Sequence, residues 1–167
     1  MAASTQSIEQ KLIDLCGDKF VQTFYTIIDS RRNDIIQLFT QSSTCIYDGN
    51  PAIGKQTITQ LYSVLPPSKH SIDTIDIQPI DKSIVNNTQQ QNKQTLFNID
   101  TLLISVTGTV QYGTDSRINL YHHTFIIDKC DPQKPNIHYI VYATFRSRVG
   151  DTSKTNRQDS VNKRIRA

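Results

Sequence analysis

Two periodicities divide the chain. Over residues 7–65 apolar side chains recur every three or four positions, the spacing of one helix face; from residue 71 on they recur at every second position, the spacing of a strand. Residues 7–28 read as one long helix. Ile8, Leu12, Cys16, Phe20, Phe24 and Ile28 repeat every four residues, and Leu15, Val21 and Ile27 widen the stripe. Thr5 or Ser7 offers a capping hydroxyl, and Asp29-Ser30 caps a second, short helix over residues 31–39. A short strand at 44–47 and the turn residues Asp48-Gly49-Asn50-Pro51 follow. A third helix over 55–65 carries Ile58, Leu61, Tyr62 and Leu65 and is stopped by Pro66-Pro67. Strands are expected over 71–80, 102–112, 118–127 and 137–146. Helices first and antiparallel strands after is the α+β pattern.

Strand parity then sorts the residues by face. One side takes Ile75, Ile77, Ile104, Val106, Val110, Tyr121, Phe125, Ile127, Val141, Ala143 and Phe145, the side expected to meet the helices. The other takes Ile72, Thr74, Asp76 and Gln78; Ser105, Thr107 and Thr109; His122, Thr124 and Ile126; and Ile140, Tyr142, Thr144 and Arg146. A strand wetted on one face reads apolar in and polar out. This second face instead mixes small hydroxyls with apolar residues, one acid and one base, a composition nearer to a protein interface than to a solvated face. Something covers it, either a second layer of this chain or another protein.

Composition narrows the classes. At 167 residues the chain is one domain by size, no apolar run approaches a membrane span, and the first ten residues lack the apolar core of a secretory signal. Three cysteines, Cys16, Cys45 and Cys130, far apart and odd in number, argue for a reducing compartment and against a disulfide framework or zinc site. The net charge of +3 resides wholly in residues 150–167, a basic tail read as disordered. The folded part, residues 1–149, therefore offers no field for nucleic acid. A Gln/Asn-rich stretch over 82–95 has nothing to bury and reads as an inserted loop.

The order of Phe20-Val21, Tyr25-Thr26, Asp29, Arg31-Arg32, Gly49-Asn50, Gly54, Leu65-Pro66, Ser68, Asp76-Ile77-Gln78-Pro79 and Thr144-Phe145-Arg146 resembles the nuclear transport factor 2 family, and within it the mRNA export branch. The resemblance implies a cone-like fold, a strongly bent antiparallel sheet packed on three N-terminal helices. It also implies dimerisation through the open sheet face, in the export branch with the related domain of a TAP/NXF-type mRNA export receptor. Such a protein is no enzyme and holds no cofactor. It shuttles between nucleus and cytoplasm and reaches the Phe-Gly repeats of the nuclear pore indirectly, through the receptor. The arginine matching Arg146 makes an ion pair across that heterodimer. The expected interface is Asp76, Gln78, Thr107, His122, Thr124, Ile140, Tyr142 and Arg146, with an Arg146–Asp76 pair inside the face as the competing arrangement.

Two alternatives remain at this point. The import branch is a homodimer that binds GDP-loaded Ran through acidic residues before the penultimate strand. Here that loop, Tyr112-Gly113-Thr114-Asp115-Ser116-Arg117, has one acid and an Arg, although Asp48 resembles a further acid of that branch. Isomerases and dehydratases of the same fold use a cavity in the cone, which Tyr25, Tyr62 and His123 would line here. His122 and His123 are adjacent on a strand, so they point to opposite faces and do not chelate together.

Overall fold

The computed structural model describes residues 2–80, 100–129, 133–134 and 137–150, with side chains from residue 10 onward. The loop 82–95, Cys130 and the tail beyond Gly150 lie outside the described residues. Helix α1 (Ala2–Ser30) leads into a 3-10 helix (Arg32–Leu38) and a hairpin of β1 (Phe39–Tyr47) and β2 (Asn50–Ile53). Helix α2 (Lys55–Ser63) precedes the four long strands β3 (Ser68–Pro79), β4 (Thr101–Tyr112), β5 (Asn119–Asp128) and β6 (Tyr139–Val149). They form one six-stranded sheet in the order β2-β1-β6-β5-β4-β3. It is antiparallel except at the β1–β6 seam, where the strands run parallel. The fold is α+β, three helices against one curved, unclosed sheet.

The first strand is longer than its sequence signal because Phe39, expected at the end of the second helix, extends the chain into the sheet opposite Ile140. Asp48 and Gly49 both take positive φ (47° and 88°), which suits a two-residue hairpin turn, and Pro51 falls on the edge strand where a missing N–H costs nothing.

Helix α1 buries Ile13, Phe20, Val21, Phe24, Tyr25, Ile27 and Ile28, while Leu12 and Leu15 are 51% and 66% exposed. This corrects the four-residue stripe read from the sequence. Four residues turn a helix by about 400°, so such a repeat drifts roughly 40° per step around the axis. The line that stays on the sheet instead alternates steps of four and three, through Ile13, Gly17, Phe20, Phe24 and Ile27. Gly17 is where the helix comes closest to β3, since a Cβ there would lie 2.5 Å from Ile77 Cδ1.

Two bulges re-aim the strands. The β3–β4 register slips between Ile72 and Thr74, and the β5–β6 register slips between Ile126 and Ile127. The first turns Ile72 inward against the core. The second makes Val141 the extra residue, so Ile140 is fully buried and Val141 is exposed, the reverse of simple alternation. Inside the curved sheet the core is aromatic. Phe24 meets Phe125 at 4.8 Å, His123 at 5.2 Å and Tyr62 at 6.3 Å between ring centroids, and Tyr47 stacks on Phe145 at 4.5 Å.

Gly108 sits beside the first bulge, where a Cβ would lie 2.0 Å from the Ser71 carbonyl oxygen and 2.8 Å from the Tyr121 hydroxyl. Backbone cannot yield as a side chain does. Gly108→Ala should therefore cost about 2–3 kcal/mol of stability, read from the urea midpoint at unchanged slope. A loss under about 0.5 kcal/mol, the range of neutral surface changes, would show that β3 moves aside freely.

Candidate partner interface

All the helices lie on one side of the sheet, so the register alone defines what the other side presents. One row across it reads Thr74, Thr107, His122, Arg146. The next reads Asp76, Ser105, Thr124, Thr144, Ile46, Pro51, and a third Gln78, Leu103, Ile126, Tyr142, Thr44, Ile53. These rows hold one Asp and one Arg and no Lys or Glu. Among the described residues no element lies over them.

Seven of the eight expected interface residues (Asp76, Gln78, Thr107, His122, Thr124, Tyr142 and Arg146) fall on this face. Ile140 does not: the Val141 bulge turns it into the core, and Val141 takes the outward place. Thr44, Ile46 and Leu103 belong to the face and were missed. Leu103 could have been placed from the alternation of β4. For Thr44 and Ile46 the missing information was the parallel pairing of β1 with β6, which joins strands nearly a hundred residues apart and leaves no local signal.

Three hydroxyls of the face are bonded within it. Thr74 Oγ1 and Thr107 Oγ1 lie 2.6 Å apart, and Ser105 Oγ lies 2.8 Å from His122 Nε2. The Gln78 amide donates to Asp76 at 3.2 Å. Arg146 is exposed, and its guanidinium lies along the β1–β2 turn, Nη1 being 3.3 Å from where a Gly49 Cβ would stand. The neighbouring Asp48 carboxylate is occupied elsewhere, accepting the Ser147 N–H at 2.7 Å and the Ser147 hydroxyl at 2.9 Å. Arg146 thus has no ion pair among the described residues. Pairing with Asp76 within the face is excluded by distance. The two are three strand spacings and two residues apart, roughly 16 Å across the sheet, beyond the combined reach of the side chains.

The interior offers little room. Around Tyr25, Tyr62, His70 and His123 there is a void of about 10 Å³, on the scale of one water. His123 Nδ1 is 3.2 Å from the Tyr25 hydroxyl, while its Nε2 is buried without a partner among the described residues. Burial holds the His123 imidazole well below its usual range, and the nearby His70 and His122 act in the same direction. Where α1 meets β3, Asp29 accepts from the His70 N–H and from Ser68 Oγ, each at 2.8 Å, and lies 2.7 Å from His70 Nδ1. Burial raises the Asp29 carboxyl, but the His70 and Ser68 hydrogen bonds outweigh it and hold it below the usual range. At the mouth of the cone a recess of about 390 Å³ is bordered by Asp48, Tyr112, Asp115 and Arg117. Arg117 pairs there with Asp115 at 2.6 Å. Among the described residues no cluster of three or more His, Cys, Asp or Glu is placed to hold a metal, and no helix is long and apolar enough to cross a membrane.

Residues 16–147 match the nuclear transport factor 2 (NTF2) domain. The chain belongs to the NTF2 family. An NTF2-related export protein of Caenorhabditis elegans is 28% identical over 116 residues, covering 68% of this chain and 77% of that protein. Among solved structures, nuclear transport factor 2 of Cryptosporidium parvum superposes with a TM-score of 0.64 at 19% identity, over 81% of this chain and 94% of that one. The C. albicans Mtr2–Mex67 M domain complex gives 0.59 at 12% identity, over 84% and 97%. These structural likenesses carry the fold of the NTF2 domain and nothing finer.

The two interior carboxyl and imidazole shifts give separate limbs of acid sensitivity. His123 binds its proton more weakly folded than unfolded, so its contribution is complete above about pH 6.5 and is lost as pH falls below that value. Asp29 contributes above about pH 3.9 and loses its share only as pH falls through its lowered folded value. Unfolding free energy should therefore decline from pH 7.5 to 5 in wild type, with the decline reduced in His123→Gln. An equal slope in both proteins, measured by urea unfolding across pH, would contradict the assignment.

Proposed function

We propose that this protein is a non-enzymatic cofactor of nuclear mRNA export, and that its outer sheet face binds the matching domain of a TAP/NXF-type mRNA export receptor. The observation that carries the reading is the face itself. It is a single-layered sheet surface of hydroxyls, several of them bonded within the face, and apolar residues, with an arginine that has no ion pair among the described residues. The C. elegans relative bears the name of an export protein, which favours the export reading, and the C. albicans neighbour is a complex of Mtr2 with the Mex67 M domain, which favours a heterodimer. On this reading Asp76, Gln78, Thr107, His122, Thr124, Tyr142 and Arg146 lie within the contact, joined by Val141 in place of Ile140. The protein would shuttle between nucleus and cytoplasm and meet Phe-Gly repeats through its receptor. A partner carboxylate facing Arg146 sets specificity more than net affinity, because desolvating the pair offsets much of its attraction.

The second reading, a homodimeric carrier of GDP-loaded Ran, draws on the recess at the cone mouth and its acids. It is the weaker one, since Arg117 already neutralises Asp115 and Asp48 is bound to Ser147. A small-molecule isomerase or dehydratase is weaker still, because a void of about 10 Å³ admits no organic substrate.

Arg146→Glu should fold with unchanged thermal stability and lose co-purification with the receptor's NTF2-like domain. Retained co-purification would remove the export assignment. Capture of Ran-GDP by the wild-type chain, with no receptor binding, would transfer it to the import branch.

A further inference from the structure

The row that ends in Arg146 places His122 directly opposite it, β5 against β6, with the Cβ atoms of such a pair about 5 Å apart. We propose that His122 is a proton-sensitive residue of the docking face, neutral in the complex, so that acidification weakens docking. This rests on the heterodimer reading above.

The surroundings of His122 decide the sign. From β4 it is faced by Thr107 in register and by Ser105, whose hydroxyl is 2.8 Å from Nε2. From β6 it is faced by Arg146, with Arg148 and Thr144 on the diagonals. Leu120 and Thr124 flank it on its own strand. No acid is among these groups. Asp76, the acid of the face, is two strand spacings and one pleat repeat away, roughly 12 Å. Protonated His122 is thus a third cation beside two arginines, and like charges directly opposite on a sheet repel.

In water that repulsion is mild, because the face is open and screened. In a docked complex the same corner is dried, and a carboxylate facing Arg146 balances one positive charge and not two. Neutral His122 avoids the excess. Its ring keeps the Ser105 hydrogen bond in either uncharged tautomer, since the serine hydroxyl both donates and accepts. Docking therefore releases a proton at acidic pH, and affinity falls as pH drops.

The test is the dissociation constant for the receptor's NTF2-like domain between pH 7.5 and 5.5, with circular dichroism confirming the fold at each pH. Wild type should weaken by about tenfold over that range, the limit for a complex in which His122 takes up no proton. His122→Gln, uncharged and able to bond Ser105, should bind as wild type does at pH 7.5 and lose most of the slope. His122→Lys should bind at pH 7.5 with the weakness of wild type at pH 5.5. An unaltered slope in His122→Gln, or full affinity in His122→Lys, would overturn the proposal and leave the heterodimer standing. No binding by any of the proteins at any pH would overturn both.

Discussion

The structure depends on one arrangement, a curved sheet whose concave side is sealed by aromatic packing. Phe24 of α1 touches Phe20, Tyr62, His123 and Phe125, so a single side chain ties the long helix, the short helix and the central strand together. Each aromatic ring buries on the order of 150–250 Å², far more than an aliphatic side chain, and edge-to-face contacts add to that. Two consequences follow for function. The interior keeps a void of only about 10 Å³, with a polar pair, Tyr25 and His123, enclosed among rings. And because every helix is spent on the concave side, the convex side of the sheet stays uncovered by the described residues.

Whether that convex side is useful depends on its shape, and the two bulges set the shape. Without the extra residue at Val141, Ile140 would stand outside and the core would lose a fully buried side chain. Without the slip after Ile72, that residue would also face outward, next to the hydroxyl rows. The bulges thus turn Ile72 and Ile140 inward, at the second with Val141 taking the outward place. Gly108 marks the cost of the arrangement, since the β3 backbone passes too close there for any side chain.

The helices and the four long strands were legible in the sequence, because alternation in β4 and β5 is clear, whereas the short strand β2 (Asn50–Ile53) was hidden behind the turn chemistry of Asp48-Gly49-Asn50-Pro51. What was not legible depended on events that alternation does not encode. A bulge inserts one residue and flips the parity beyond it, and β6 reads as a regular strand until its pairing with β5 is known. In α1 the four-residue stripe holds for Phe20, Phe24 and Ile28 but drifts around the axis toward the N-terminus, where Leu12 is exposed. Arg146 was correctly placed on the outer face, since the bulge precedes it and the parity of Tyr142, Thr144 and Arg146 is kept. Its isolation from Asp76 is a matter of strand order, and strand order is not written in any local stretch.

On the proposed heterodimer the face is wet in one state and dry in another, and that leaves a narrow choice of chemistry. An apolar surface of this extent would aggregate when bare, and a charged one would resist drying. Hydroxyls already bonded to their neighbours, as in Thr74–Thr107 and Ser105–His122, lose little when water leaves, because each keeps a partner. Arg146 is the exception. Its guanidinium carries five donors, and drying it without an acceptor costs several kcal/mol. In the proposed heterodimer, a partner that lacks an acceptor at that point would therefore be disfavoured, which is discrimination by penalty instead of by added attraction.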